Sequence, residues 1–205
     1  MFTRRHLILG SLAASLLRPS AGLADDNPMP DELRQAIERQ PFSPVLGNPN
    51  GNITLTEFFD YNCPICRTVP PLLQALMSED KQLRIVLREW PVIRPDSEVL
   101  ARISLATLKQ RKYWPFHHQM LSQQTRRGEA AAMATAEALG LDMAKLKRDM
   151  DGSDVSDHIS QSLDLGDHMG LAGTPTFIAG NTGAFGSQSL AELKTLVATA
   201  RRQLA

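Results

Sequence analysis

The sequence predicts an α/β fold in which one sheet is assembled from two separated parts of the chain, with a helical block between them. Three observations lead there. ITLTEFF (53–59) and LRIVLREW (83–90) are β-branched and aromatic runs on either side of a helical stretch, a β–α–β order. From Asp96 to Leu171 the patterning is almost wholly helical. TPTFIA (174–179), a Gly-rich hairpin and a last helix then close the chain as β–β–α. The outer parts supply complementary halves of one sheet, so the helical block is an insertion and not a separable domain.

The chain has 205 residues, with 22 Lys+Arg against 22 Asp+Glu. That balance excludes the basic footprint of a nucleic-acid binder. Charged residues at 21% and AVILMFWYC residues at 42% describe a folded domain with a sizeable core. Residues 1–24 read as an export signal: Arg4 and Arg5, an apolar run from Leu7 to Leu17, then small residues up to Ala24. A run of eleven residues falls well short of the roughly 20 needed to span a bilayer. The paired arginines in TRRHLIL resemble a twin-arginine signal, and cleavage is expected before Asp25, in a periplasmic destination. The signal holds three arginines and no acid, so the mature chain carries 19 basic against 22 acidic groups.

Residues 25–45 form a leader with one short helix, DELRQAIERQ, begun after Pro30 and ended by Pro41 and Pro44, with Leu33 and Ile37 on one face. GNPNGN (47–52) is dense in turn residues. The domain proper spans 46–205, with the helical insertion at about 96–171. After the first strand, Tyr61-Asn62-Cys63-Pro64 makes a strand-to-helix turn with Pro64 at the first helical position, and Pro70 and Pro71 are expected to kink the helix that follows. Gly140 stops one helix of the insertion, and the last helix runs from Ser189 to Gln203.

The only cysteines, Cys63 and Cys66, stand three positions apart. A disulfide between them would close a tiny loop and constrain little chain entropy, so the pair points to chemistry more than scaffolding. At a helix start, unpaired N–H groups and the macrodipole favour an anion, which lowers the pKa of the first thiol. The second, one turn further in, is buried and resolves a mixed disulfide. A structural zinc site would need a second Cys pair, which the chain lacks.

EFFDYNCPIC (57–66), followed much later by GTPTF (173–177), resembles the DsbA-type thiol–disulfide oxidoreductases of the thioredoxin superfamily. VLGNPNGNITLTEFFDYNCPIC as a whole is most similar to the DsbA-like branch that includes the ScsC copper-tolerance proteins. The resemblance covers roughly residues 38–204 and implies a thioredoxin fold with a helical insertion between the second strand and a cis-Pro strand. It implies that Cys63 is the nucleophile, Cys66 the resolving thiol and Pro175 a cis-proline beside them, with the Thr174 backbone pairing with a substrate strand. Pro64 and Ile65 would contact substrate. It also implies that Glu57 is buried beneath the disulfide and assists proton transfer to and from the inner thiol. Asp60 and Arg67 flank the motif, and Pro71 would shape the active-site helix.

One residue departs from the pattern: strongly oxidising members carry His where this chain has Ile65. An apolar neighbour offers the Cys63 sulfur neither charge nor hydrogen bond, so the expected Cys63 pKa is higher, and the dithiol less oxidising, than the about 3.5 of DsbA itself. Thr174 tilts the same way, towards members that shuffle disulfides. The implied partners are thiol- or disulfide-containing proteins and a membrane redox partner, with no nucleic acid and no organic cofactor. Whether the 28 residues before Ile53 seed an oligomer is open. His117, His118, His158 and His168 read as surface or core residues, with no metal assigned to them. Tyr113, Trp114 and Phe116 read as packing of the insertion. The alternative function is a periplasmic protein that binds Cu(I) through the soft sulfurs of Cys63 and Cys66. No G-x-S-x-G or Gly-rich phosphate cradle is present.

Overall fold

The computed structural model describes residues 28–123 and 128–205. The expected export signal, residues 1–24, and the start of the leader lie outside the described residues. Five strands form one mixed sheet: β1 (Val45–Gly47), β2 (Ile53–Phe59), β3 (Leu83–Glu89), β4 (Thr176–Ala179) and β5 (Thr182–Phe185), in the order β1-β3-β2-β4-β5. β2 and β3 are parallel, with Ile53 opposite Leu83 and Phe59 opposite Glu89; the other pairs are antiparallel. This is the thioredoxin-type arrangement, and the halves before and after the insertion meet at β2–β4.

Strand alternation sends the two faces of the sheet to different helices. Leu55 and Phe59 of β2, Ile85 and Leu87 of β3, and Phe177 of β4 face a layer made by α2 (Val69–Glu79) and α8 (Leu190–Gln203), through Leu73, Leu76, Leu193 and Val197. Phe58 of β2 and Ile178 of β4 face the other way, onto α1 (Asp31–Glu38) and α7 (Ser153–His168). The segment read as a leader is therefore part of the body: Ile37 is buried against Phe58 and Trp90, and the Met29 N–H donates to Asn181 Oδ1.

Between β3 and β4 come α3 (Ser97–Leu108), α4 (Tyr113–Ser122), α5 (Glu129–Ala138), α6 (Met143–Met150) and α7. Their buried Leu100, Ile103, Phe116, Met120, Ala132, Ala136 and Leu146 extend the core cluster that holds Leu55 and Phe59. Tyr113 and Phe116 are core residues, and Trp114 packs against the same cluster.

Three local readings are corrected. An edge strand, β1, antiparallel to β3, stands at Val45–Gly47, just ahead of the turn-rich GNPNGN, where no strand was expected. Three residues, none of them buried, are too few for an alternating pattern, and the strand ends at Gly47, whose φ of +70° and approach to the Leu83 carbonyl exclude a side chain. The helix after Cys63 begins as a 3-10 turn, Ile65–Thr68, for which Pro64 is the N-terminal cap and not the first helical residue. Pro70 and Pro71 do not kink it: they fall in the first turn of α2, where backbone N–H groups lack intrahelical acceptors anyway and proline removes nothing.

Candidate active site

The site is built where β2 and β3 end side by side. Phe59 accepts the Trp90 N–H at 2.8 Å, and the next residue, Asp60, leaves the sheet. Its buried carboxylate accepts the backbone N–H of Asn62 (2.7 Å) and of Ile93 (2.8 Å), tying the turn after β2 to the turn after β3. Burial raises the Asp60 pKa against the hydrogen bonds that lower it. The Asn62 side chain donates to Asp96 and Ser97 at the start of α3, and the Cys63 N–H donates to the Asp60 carbonyl at 3.0 Å. This network places Cys63 at the mouth of the 3-10 turn.

Both thiols are free, and both are buried, Cys63 at 2% exposure and Cys66 at 0%; burial was expected of Cys66 alone. The Cys63 thiol donates to the Thr174 carbonyl at 3.2 Å, and the Cys66 N–H donates back to the Cys63 sulfur at 3.4 Å. The Thr174–Pro175 peptide is cis. The structure thus brings Cys63, Cys66, Thr174 and Pro175 together from chain positions more than 100 residues apart.

The two sulfurs differ in acidity. The Cys66 thiol as a donor, and behind it the Thr174 side chain and the N–H groups of Cys66 and Ile65, outweigh burial and bring Cys63 down to about 6. Burial first, then the loss of that same donated proton and the negative charges of Glu57 and Cys63, push Cys66 far up. Cys63 is thus the more acidic of the two sulfurs and Cys66 the one that holds its proton.

Glu57 shares a face of β2 with Leu55 and Phe59 and is fully buried beneath this pair, opposite Leu87 and Phe177. Neither carboxyl oxygen has a hydrogen-bond partner among the described residues. Burial first, then repulsion by Cys63 and by Glu89, lifts its pKa well above the usual carboxyl range. Pro64 and Ile65 are exposed at the rim; Arg67, one turn on, is half-buried.

Sequence reasoning missed a polar cluster behind the site. Glu89, at the end of β3, is 1% exposed; its carboxylate accepts from Tyr113 (2.6 Å) and Ser104 (3.2 Å) and stands 2.9 Å from His158 Nε2. A lone Glu ending a strand carries no pattern, and its partners come from three helices of the insertion. His117 and His158 are both core residues, fully buried. Among the described residues, no group of three or more His, Cys, Asp or Glu could hold a metal ion, so a copper site would rest on the two sulfurs alone. No helix among them is long and apolar enough to cross a membrane.

Comparison with known proteins agrees with this architecture. The DSBA-like thioredoxin domain matches residues 54–198. A thioredoxin-like oxidoreductase from Silicibacter pomeroyi DSS-3 is 38% identical, superposes with a TM-score of 0.79, and the alignment covers 82% of this chain and 98% of that one. The catalytic domain of Proteus mirabilis ScsC shares the fold at 20% identity and a TM-score of 0.75, over 84% of this chain and 96% of that one. Among curated relatives, the Na(+)/H(+) antiporter NhaA 3 of Salinispora tropica is 26% identical over 158 residues, 76% of this chain but 24% of the antiporter. The chain therefore spans about a quarter of the length of that relative. A match that runs from β2 into α8 and takes in both cysteines and the cis-proline leads to one conclusion: the chain belongs to the DSBA-like thioredoxin domain family.

Proposed function

We propose that this chain is an exported protein thiol–disulfide oxidoreductase, and the observation that carries the reading is the unequal acidity of its two cysteines. Attack on a disulfide needs a thiolate, and resolution of the product needs a second thiol that stays protonated until its turn. In the reduced form the Cys63 thiolate attacks one sulfur of a partner disulfide. A new S–S bond forms to Cys63, the partner's S–S bond breaks, and its other sulfur leaves as a thiolate. Cys66 then gives its proton to the Glu57 carboxylate and attacks the Cys63 sulfur. The intramolecular disulfide forms, the mixed disulfide breaks, and the partner departs with both sulfurs reduced. The same steps in reverse oxidise a partner dithiol. A carboxyl held above the ordinary carboxylate range by burial suits both directions, since it is the stronger base for the Cys66 proton and can return it.

The surroundings favour a protein partner. Four of the five exposed large apolar residues among those described lie near this end of the molecule: Ile65 between the cysteines, Val92 and Ile93 on the turn clamped by Asp60, and Phe185, whose ring covers Gly173. A cluster of this kind around a reactive sulfur suits a polypeptide segment with an apolar flank. Thr174 offers backbone beside the sulfur, and Pro64 and Ile65 form the facing rim, a setting for an extended segment to pair.

In direction, the reading is an exchanger less oxidising than DsbA. A thiol near 6 is still mostly thiolate at neutral pH, yet is a stronger nucleophile and a poorer leaving group than one near 3.5. A membrane redox partner would reset the pair, and residues 1–24 would direct export and be removed before Asp25. The test is refolding of ribonuclease with the mature protein. Activity on the scrambled form is expected; activity on the fully reduced form alone would overturn the direction, and activity on neither would overturn the reading.

A further inference from the structure

Glu89 is the fully hidden end of a hydrogen-bonded chain that leads to the turn carrying Cys63. The Ser104 hydroxyl donates to Glu89 Oε1 at 3.2 Å and so spends its proton there. The Tyr61 hydroxyl, 2.6 Å from Ser104 Oγ, must then donate to Ser104, since that oxygen has no second proton to offer. This leaves the Tyr61 oxygen to accept from His117 Nδ1 at 3.2 Å. His117 fits the assignment: burial drives its pKa down to about 3, so the neutral ring carries one proton, placed on Nδ1. Its Nε2 has no partner among the described residues, as suits a bare nitrogen better than a buried N–H. Every proton in the series His117, Tyr61, Ser104, Glu89 therefore points towards the carboxylate.

The anchor itself is held from every side. Tyr113 of α4 donates to the same Oε1 at 2.6 Å, and His158 of α7 stands 2.9 Å from Oε2. His158 Nδ1 lies 3.2 Å from Gln40, which also accepts from Ser43; Ser43 in turn accepts from the buried guanidinium of Arg88. Glu57 of β2 is the other acid that feels the Glu89 charge from the sheet. Tyr61 lies two residues before Cys63, in the turn whose backbone donates from Cys63 to Asp60.

We propose that Glu89 is a positioning residue for Cys63, holding through Ser104 and Tyr61 the turn that presents the reactive sulfur. The proposal rests on the reading of Cys63 as the attacking thiol. The donors that favour the Cys63 thiolate are hydrogen bonds of fixed geometry, so a turn released from its anchor lengthens them and weakens the anion. The hub also gives the insertion a chemical role: Ser104, Tyr113 and His158, from α3, α4 and α7, converge on one carboxylate at the end of β3.

The test is a double-mutant cycle on the reduced full chain, with Glu89→Gln, which keeps the size and replaces the charge, Tyr61→Phe, which cuts the chain before the turn, and the double variant. Two quantities are read: the rate of alkylation of Cys63 by iodoacetamide at pH 5, below its value of about 6 so that the rate follows the thiolate fraction, and the midpoint of the thiolate absorbance titration. Each single variant is expected to slow alkylation roughly 3- to 10-fold, and the double variant to be no slower than the slower single within about twofold. Tyr61→Phe is expected to raise the titration midpoint by about half a pH unit. Support requires both the non-multiplying rates and the raised midpoint; any other combination overturns the proposal. If Glu89→Gln does not fold, Ser104→Ala takes its place, cutting the same chain one link further on. Alkylation needs no enzymatic partner, so a chain inactive in ribonuclease refolding would sink the functional reading while leaving this one to be decided.

Discussion

Glu57 is a residue whose burial costs stability and serves chemistry. A carboxyl with no hydrogen-bond partner among the described residues, pushed up by burial, by Cys63 and by Glu89, holds its proton more tightly in the folded chain than in the unfolded one. Its folded pKa lies above its unfolded one, so the native state is favoured below about 4.5 and penalised progressively as pH rises from there. Glu57→Gln removes the titration. The variant is expected to be more stable than the parent by about 1–3 kcal/mol at pH 7 and by almost nothing at pH 4, read by urea denaturation at both values. It is also expected to slow resolution of the mixed disulfide by roughly 10²-fold, read by trapping of the mixed species. A variant destabilised at pH 7 would show that the carboxylate is paired. Cys63 has its own signature: with a thiol near 6, its rate of attack should fall about tenfold per pH unit below that value and level off above it.

At the scale of elements, the site depends on how α7 closes over the end of β3. Gly166, in the last turns of α7, lies against the indole of Trp90; a Cβ there would come within 2.5 Å of the ring. The ring cannot yield easily, since it is buried against Phe58 and Ile37. Gly166→Ala should therefore cost about 1–3 kcal/mol despite the better helix propensity of alanine, and a stabilising result would mean that α7 does not seat as described. The same helix carries His158 to Glu89, so the displacement should also slow Cys63 alkylation. At the far end, α8 begins with a full capping box, Ser189 and Glu192 each satisfying the other's backbone N–H. Ser189→Ala should cost about 1 kcal/mol and leave Cys63 reactivity unchanged, since the cap's hydrogen bonds run between Ser189 and Glu192 and not to the residues around Cys63.

For the whole molecule, the redox state and the fold are linked through the same proton. The Cys63 thiol has a folded value of about 6 against an ordinary 9, so the reduced protein gains stability that is complete above about pH 9 and lost as pH falls through 6. The oxidised protein has no thiol at that position and gains nothing by this route. The difference in thermal midpoint between reduced and oxidised protein should therefore shift in favour of the reduced form between pH 5 and pH 8. A difference independent of pH would show that the fold does not stabilise the thiolate. Cys66 opposes this only where an ordinary thiol would ionise, above about pH 9, because its own value is pushed upward.

Much of this was legible in one dimension because it is written in local chemistry. Alternating and helical patterns marked β2, β3, α8 and the helical block between, and a Cys-x-x-Cys after a strand with a distant Thr-Pro marked the two halves of the site. β1 was not legible, since a three-residue edge strand owes its existence to its partner β3; nor was the first-turn placement of Pro70 and Pro71, which depends on where the 3-10 turn hands over to the α-helix. The sequence by itself determined the mixed sheet, the insertion and the reactive pair, because periodicity and residue type set those through short-range forces. Only the tertiary structure decided how far the acidity of each sulfur moves, that the Glu57 carboxyl has no hydrogen-bond partner among the described residues, and the convergence of Ser104, Tyr113 and His158 on Glu89. Burial and hydrogen bonding between distant segments set these, and neither has a signature in the order of residues.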